Sequence, residues 1–264
     1  MSHENTNLQL KGDRHFFFLL IRLILGYIFL SSGLCKLTHG TFGQLIGPPL
    51  LIDELKEYGL ETFGYIIASS QVIVGALILT QRFSLLGLIA LVPINLGILG
   101  VTISQGWTGT PYVNAIFLIL NIAAILYEYP ALQHLVSAPK KRKINNPYST
   151  IFFPEIWTPL LFLLLVLLTI GASFFSYTSV LLLANFFFVL LAGYLLWGRT
   201  YLFLQKIVLI CFFVCVLAMT DGQKLMDMGA PLVLFFIGGF SIGLIAWIFS
   251  LFPFGKRLGR FENS

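Results

Sequence analysis

Apolar residues run along this chain in blocks, and the blocks have the length of a bilayer. Eight stretches are almost free of charge: 16–34, 62–80, 83–103, 111–127, 157–175, 177–197, 201–219 and 231–252. A spanning helix needs roughly 20 mainly apolar residues to cross about 30 Å of hydrocarbon. None of the stretches alternates apolar and polar side chains in the way of barrel strands. The pattern predicts an all-α polytopic membrane protein of about eight transmembrane helices. The fifth and sixth stretches nearly touch. A single helix through both would measure roughly 60 Å at 1.5 Å per residue, so a tight turn is expected between Ser173 and Ser179. The polar leader before Phe16 ends in no small-x-small cleavage pattern, so the first stretch reads as an uncleaved anchor.

Polar positions inside the stretches are few, and they are phased. In the first, Arg22, Gly26, Phe29, Gly33 and Lys36 step by four and three, which keeps them on one helix face. Along the fourth and at its end, Asn114, Asn121 and Glu128 step by seven. The second stretch groups Gly64, Gln71 and Gly75, and the third carries Pro93 and Asn95. Counted from the span ends, Gln71, Asn95 and Asn121 fall near mid-depth. Arg22 lies roughly 9 Å inside the boundary at which Glu128 sits, within reach of a snorkelling guanidinium. The expected arrangement is an Arg22–Glu128 pair beneath a layer of Gln71, Asn95 and Asn121. Polar groups inside a bilayer are costly and usually face the bundle interior. The candidate ligand-binding residues are therefore Arg22, Lys36, Gln71, Asn95, Asn114, Asn121 and Glu128. Amides and glycines also make ordinary helix contacts, so packing stands beside binding as a reading of the amide layer.

Composition supports lipid as the outer solvent. The chain of 264 residues is 58% hydrophobic and 10% charged, where globular chains carry about 25% charged residues. Charge then supplies an orientation, because Lys and Arg accumulate in cytoplasmic loops. With an internal amino terminus, the inner side holds Lys11, Arg14, Arg22, Arg82, the run Lys140-Lys141-Arg142-Lys143, Arg199, Lys206, Lys256, Arg257 and Arg260. The outer side holds Lys36, Lys56 and Lys224, a division of 13 against 3. Both termini are expected in the cytoplasm, and a bacterial inner membrane is the expected location. The run at Lys140 sits between two spans, which disfavours nucleic acid as a partner and suits a topological anchor or anionic membrane lipid.

The same run lies in the long polar segment 137–156, which reads as a basic cytoplasmic linker between two four-helix modules, 1–136 and 157–264. Intramembrane polar residues cluster in the first module. The second is mostly Leu, Phe, Val and Ile, and is expected to pack or dock. The modules show no repeat of the inverted kind found in many transporters. Segment 38–61 is expected to cap the first bundle, with a short amphipathic helix near Asp53 to Glu57 whose charges are solvated.

Candidate chemistry is sparse. Cys211 and Cys215 lie four apart in one span without a C-x-x-C, so they read as packing residues. His3, His15, His39 and His134 lie outside the spans or at their edges, which leaves no mid-membrane haem pair and no expected metal site.

The pattern Arg22-x3-Gly26-x2-Phe29-x3-Gly33-x2-Lys36-Leu37 resembles the opening of the DoxX family of four-helix membrane proteins. The resemblance continues through Phe42 and Pro48 to Gln71-x3-Gly75 and covers about residues 14–130. It implies a membrane component of a quinone-linked or thiol-linked redox system. Where the family pattern often has an acid, this chain has Gln71, and an amide releases no proton. Two function classes remain open. In one, the first bundle holds a quinone-like headgroup between Arg22, Gln71, Asn95 and Asn121. The chain would then be a non-catalytic subunit fed by a redox partner, since it offers no dinucleotide fingerprint, metal cluster or thiol pair. In the other, the layer grips a small lipophilic or anionic solute as a transporter or binding module. A scaffold for a membrane complex is the third role.

Overall fold

The structure, a computed structural model, describes residues 2–42, 50–129, 157–174, 176–197, 201–220, 241–243 and 245. Its helices are α1 (Ser2–Leu37), α2 (Leu51–Lys56), α3 (Glu61–Leu79), α4 (Ser84–Ser104), α5 (Thr110–Tyr127), α6 (Trp157–Ser173), α7 (Tyr177–Trp197) and α8 (Phe203–Thr220). Among the described residues there is no strand. Six segments are long and apolar enough to cross a membrane: Arg14–Leu37, Glu61–Leu79, Ser84–Ser104, Thr110–Tyr127, Thr178–Leu196 and Phe203–Thr220. The chain is a helical integral membrane protein. The fifth expected stretch forms α6, and the eighth lies mostly outside the described residues. So does the linker 137–156.

Local signals place the helix ends. The expected turn between the fifth and sixth stretches is present, with α6 stopping at Ser173 and α7 starting at Tyr177. The Ser179 amide donates to Ser176 Oγ at 3.3 Å, a serine cap at the start of α7. Gly106 and Gly109 adopt positive φ in the short α4–α5 connection, and Pro111 sits in the first turn of α5. The amphipathic helix expected near Asp53 is α2. It buries Ile52 beside Gly64 of α3 and leaves Asp53 and Glu54 exposed.

The central element is α1. Of its most apolar window 78% is buried, against 17% for α5. One face of α1 carries Ile21, Leu25, Ile28 and Phe29, which cluster with Val74 and Ile78 of α3, Leu88 and Leu91 of α4, and Ala124 of α5. The other carries Leu23, Tyr27 and Leu30, which cluster with Ala68 and Val72 of α3 and with Phe188, Leu191, Leu209 and Phe213 of α7 and α8. Helices α6 and α8 both contact α1, so the described helices of the second half close around the same central rod. On α5, Tyr112, Ile116, Ile119 and Leu126 are exposed, a stripe that faces lipid.

Lipid tails are as apolar as leucine, so association in a membrane relies on close packing and not on a hydrophobic driving force. Glycine permits that closeness between α1 and α3. A Cβ on Gly33 would stand 2.5 Å from the Ala68 carbonyl, and one on Gly75 would stand 2.5 Å from the Leu30 nitrogen. The glycines that share a face with Arg22 and Lys36 thus bring two backbones together. α3 and α4 then meet at their shared loop, where a Cβ on Gly87 would lie 2.9 Å from the Ile78 nitrogen.

Candidate functional site

The first bundle has two ends: the α2 end, where α1 stops, and the Glu128 end, where α5 stops. At the α2 end α1, α3, α4 and α5 line a cavity of about 460 Å³, within the ~300–1,000 Å³ of small-molecule sites. Ile28, Phe29, Ser32 and Lys36 form the α1 wall. Phe63, Ile67 and Gln71 come from α3, Leu96, Gly97, Gly100 and Val101 from α4, and Asn114 and Phe117 from α5. Leu51 and Leu55 of α2, with Trp107 of the α4–α5 connection, complete the lining as a cap. Among the described residues the lining holds no acid, histidine or cysteine.

Lys36 dominates the electrostatics of this cavity. The residue is 4% exposed, and its Nζ donates to the Ser32 carbonyl at 3.1 Å and to Ser32 Oγ at 2.5 Å. An ammonium has three donors and no acceptor, so one N–H remains beyond those two bonds. Among the described residues no carboxylate pairs with it. The ion pairs there are Arg22–Glu128, the surface His39–Asp53 contact at 3.1 Å and Lys56–Glu61 at 3.8 Å. A buried cation without a counter-ion is expensive, and an apolar wall strengthens its attraction for an oxygen ligand. Gln71, 3% exposed, adds an amide whose Oε1 has no partner among the described residues. Asn114 donates through Nδ2 to the Asn95 carbonyl at 2.8 Å, which ties α5 to α4 beside the cavity.

The Glu128 end is built differently. Arg22 Nη1 donates to Glu128 Oε1, and the two side chains are 5% and 13% exposed. The pair expected from the matching depths of Arg22 and Glu128 is formed. Phe18 stacks on Tyr127 with ring centroids 4.0 Å apart, which covers the pair's neighbourhood with aromatic surface.

The seven candidates therefore separate. Lys36, Gln71 and Asn114 line the cavity, while Arg22, Asn95, Asn121 and Glu128 do not. Asn95 and Asn121 are fully buried, and among the described residues neither side-chain amide has a hydrogen-bond partner on its nitrogen or its oxygen. Sequence reasoning passed over Ser32, which binds Lys36 twice. The signal was its place one turn before Lys36, at i−4 on the same face. Trp107 and Leu55 were also missed, because cap contacts depend on how the connections fold back. No family model, curated protein or solved structure matches this chain.

Proposed function

We propose that this protein is a membrane-embedded binding module for a lipophilic small molecule, held by its polar head in the cavity at the α2 end. One observation carries the reading: Lys36 is buried, faces an apolar cavity, and has no carboxylate partner among the described residues. Its remaining N–H and the amides of Gln71 and Asn114 would receive the oxygens of the head, and the apolar walls would receive the hydrocarbon attached to it. The role is binding or transfer of the molecule, held by charge and hydrogen bonds at its head and by apolar contact along its body.

A quinone is the redox form of this reading. Its carbonyls accept from the same donors, and the DoxX-like pattern from Arg22 to Gly75 favours it. The chain would then serve a redox partner subunit as its quinone-holding, non-catalytic component. The distribution of basic residues supports eight spans with cytoplasmic termini, and a bacterial inner membrane is the proposed location. The second half then serves as a packing or docking module around α1.

Two experiments test these readings. Organic extraction of the purified full chain, followed by mass spectrometry, should release one lipophilic species in near-stoichiometric amount. A quinone would select the redox form, an anionic amphiphile the binding or transport form, and recovery of bulk lipid alone would overturn both. For orientation, Glu54→Cys and Lys141→Cys in a cysteine-free background should react with a membrane-impermeant thiol reagent from opposite faces. Reaction from the same face would remove the eight-span arrangement.

A further inference from the structure

Several residues that line the cavity at Lys36 are exposed on the outer face of the bundle. α3 and α4 touch at the Glu128 end, where a Cβ on Gly87 would stand 2.9 Å from the Ile78 nitrogen. Toward the α2 end the same two helices both line the cavity. The wall residues there are exposed, Phe63 by 46% and Leu96 by 52%. A Cβ added at Gly97 or Gly100 would meet nothing within 4 Å. Leu51, Leu55 and Trp107 meanwhile cover the side nearest water.

Resting on the binding role of this cavity, we propose that the occupant is an anionic amphiphile. Its head lies at Lys36 and its chain passes out between α3 and α4 into the leaflet at the α2 end. Open space supports the exit. Beside Gly97 and Gly100, where an added Cβ would meet nothing within 4 Å, a chain can pass without displacing a side chain. Depth agrees as well. Lys36 is one residue from the end of α1, so a head bound there lies near the membrane boundary, where amphiphile heads already reside. Charge selects the class. A carboxylate or phosphate neutralises the ammonium outright, whereas a neutral carbonyl only hydrogen-bonds to it.

The test uses the full chain in phosphatidylcholine nanodiscs with a palmitic acid that carries a mid-chain diazirine. After irradiation, adducts should map to residues 60–67 of α3 and 96–101 of α4, and excess unlabelled palmitate should abolish them. Lys36→Gln should lower the yield at least tenfold. Gly100→Leu should do the same by filling the gap, and its side chain starts in open space, so the fold is retained. Adducts at Trp107 and α2 with Gly100→Leu unaffected would overturn the lateral route and leave the binding role standing. Displacement by a decyl quinone but not by palmitate would overturn the anionic head and leave the quinone form of that role. Adducts spread over all lipid-facing helices, indifferent to Lys36→Gln, would overturn both proposal and role.

Discussion

Arg22 and Lys36 lie fourteen residues apart on α1, about 21 Å along the helix at 1.5 Å per residue, and each is 4% exposed. Their surroundings differ in kind. Arg22 meets Glu128 across the bundle in a closed, aromatic-lined end. Lys36 meets one serine and an open cavity. Burial is the same in both cases, so burial does not distinguish a structural charge from a binding one. The distinction lies in whether the fold supplies the counter-ion. At the Glu128 end it does, and the helices close on the pair. At the α2 end none is supplied by the described residues, and a cavity stands beside the cation.

The largest expected effect comes from breaking the closed end. Glu128→Ala leaves Arg22 buried without its partner and should cost about 3–5 kcal/mol, measured by unfolding in detergent micelles. Arg22→Ala should be comparable. The double substitution should cost less than the two singles added, with a coupling of about 1–3 kcal/mol. Additivity would mean the two side chains do not meet. Replacing both by leucine should come close to neutral, as it does for many buried ion pairs.

The glycines sharpen the contrast between packed and open faces. Gly75→Leu drives a side chain into the α1 backbone, where even its Cβ would sit 2.5 Å from the Leu30 nitrogen, and should cost about 1–3 kcal/mol or more. Gly100→Ala enters open space and should raise stability slightly, by up to about 1 kcal/mol from helix propensity. Equal costs at the two positions would erase the difference between the α1–α3 contact and the cavity gap.

The smallest effects should come from the amides. Asn114→Leu removes the bond to the Asn95 carbonyl and should cost about 0.6–2 kcal/mol. Asn121→Leu removes an amide with no partner on either atom among the described residues and should leave stability within about 1 kcal/mol or raise it. Thermal unfolding of the two variants side by side checks the order, and a larger loss at Asn121 would show that its amide is engaged.

Spacing alone made much of the fold legible. Helix length and apolar content sufficed for six of the eight expected spans, because the bilayer imposes a single length. The Ser173–Ser179 turn came from a run too long for one crossing. The Arg22–Glu128 pair came from two residues at matching depth, each expensive without the other. The cavity was not legible. It lies beyond the close α3–α4 contact at Gly87, where a Cβ at Gly97 or Gly100 would meet nothing within 4 Å, and no periodicity encodes that space. Depth also grouped Gln71, Asn95 and Asn121 into one layer, yet depth ignores rotation about the helix axis. The structure turns Gln71 into the cavity and encloses the two asparagines.

The most direct measurement compares the two buried cations by the molecule that stays bound. Wild type, Lys36→Met and the Arg22→Leu/Glu128→Leu double variant would be purified alike in mild detergent, and the co-purifying lipophilic molecule quantified per chain by mass spectrometry. The double variant should retain the wild-type occupancy. Lys36→Met should lose it at least tenfold while unfolding no earlier than ligand-stripped wild type, since it sheds an unpaired buried charge. Retention in Lys36→Met with loss in the double variant would place the site at the Glu128 end and contradict its assignment to Lys36.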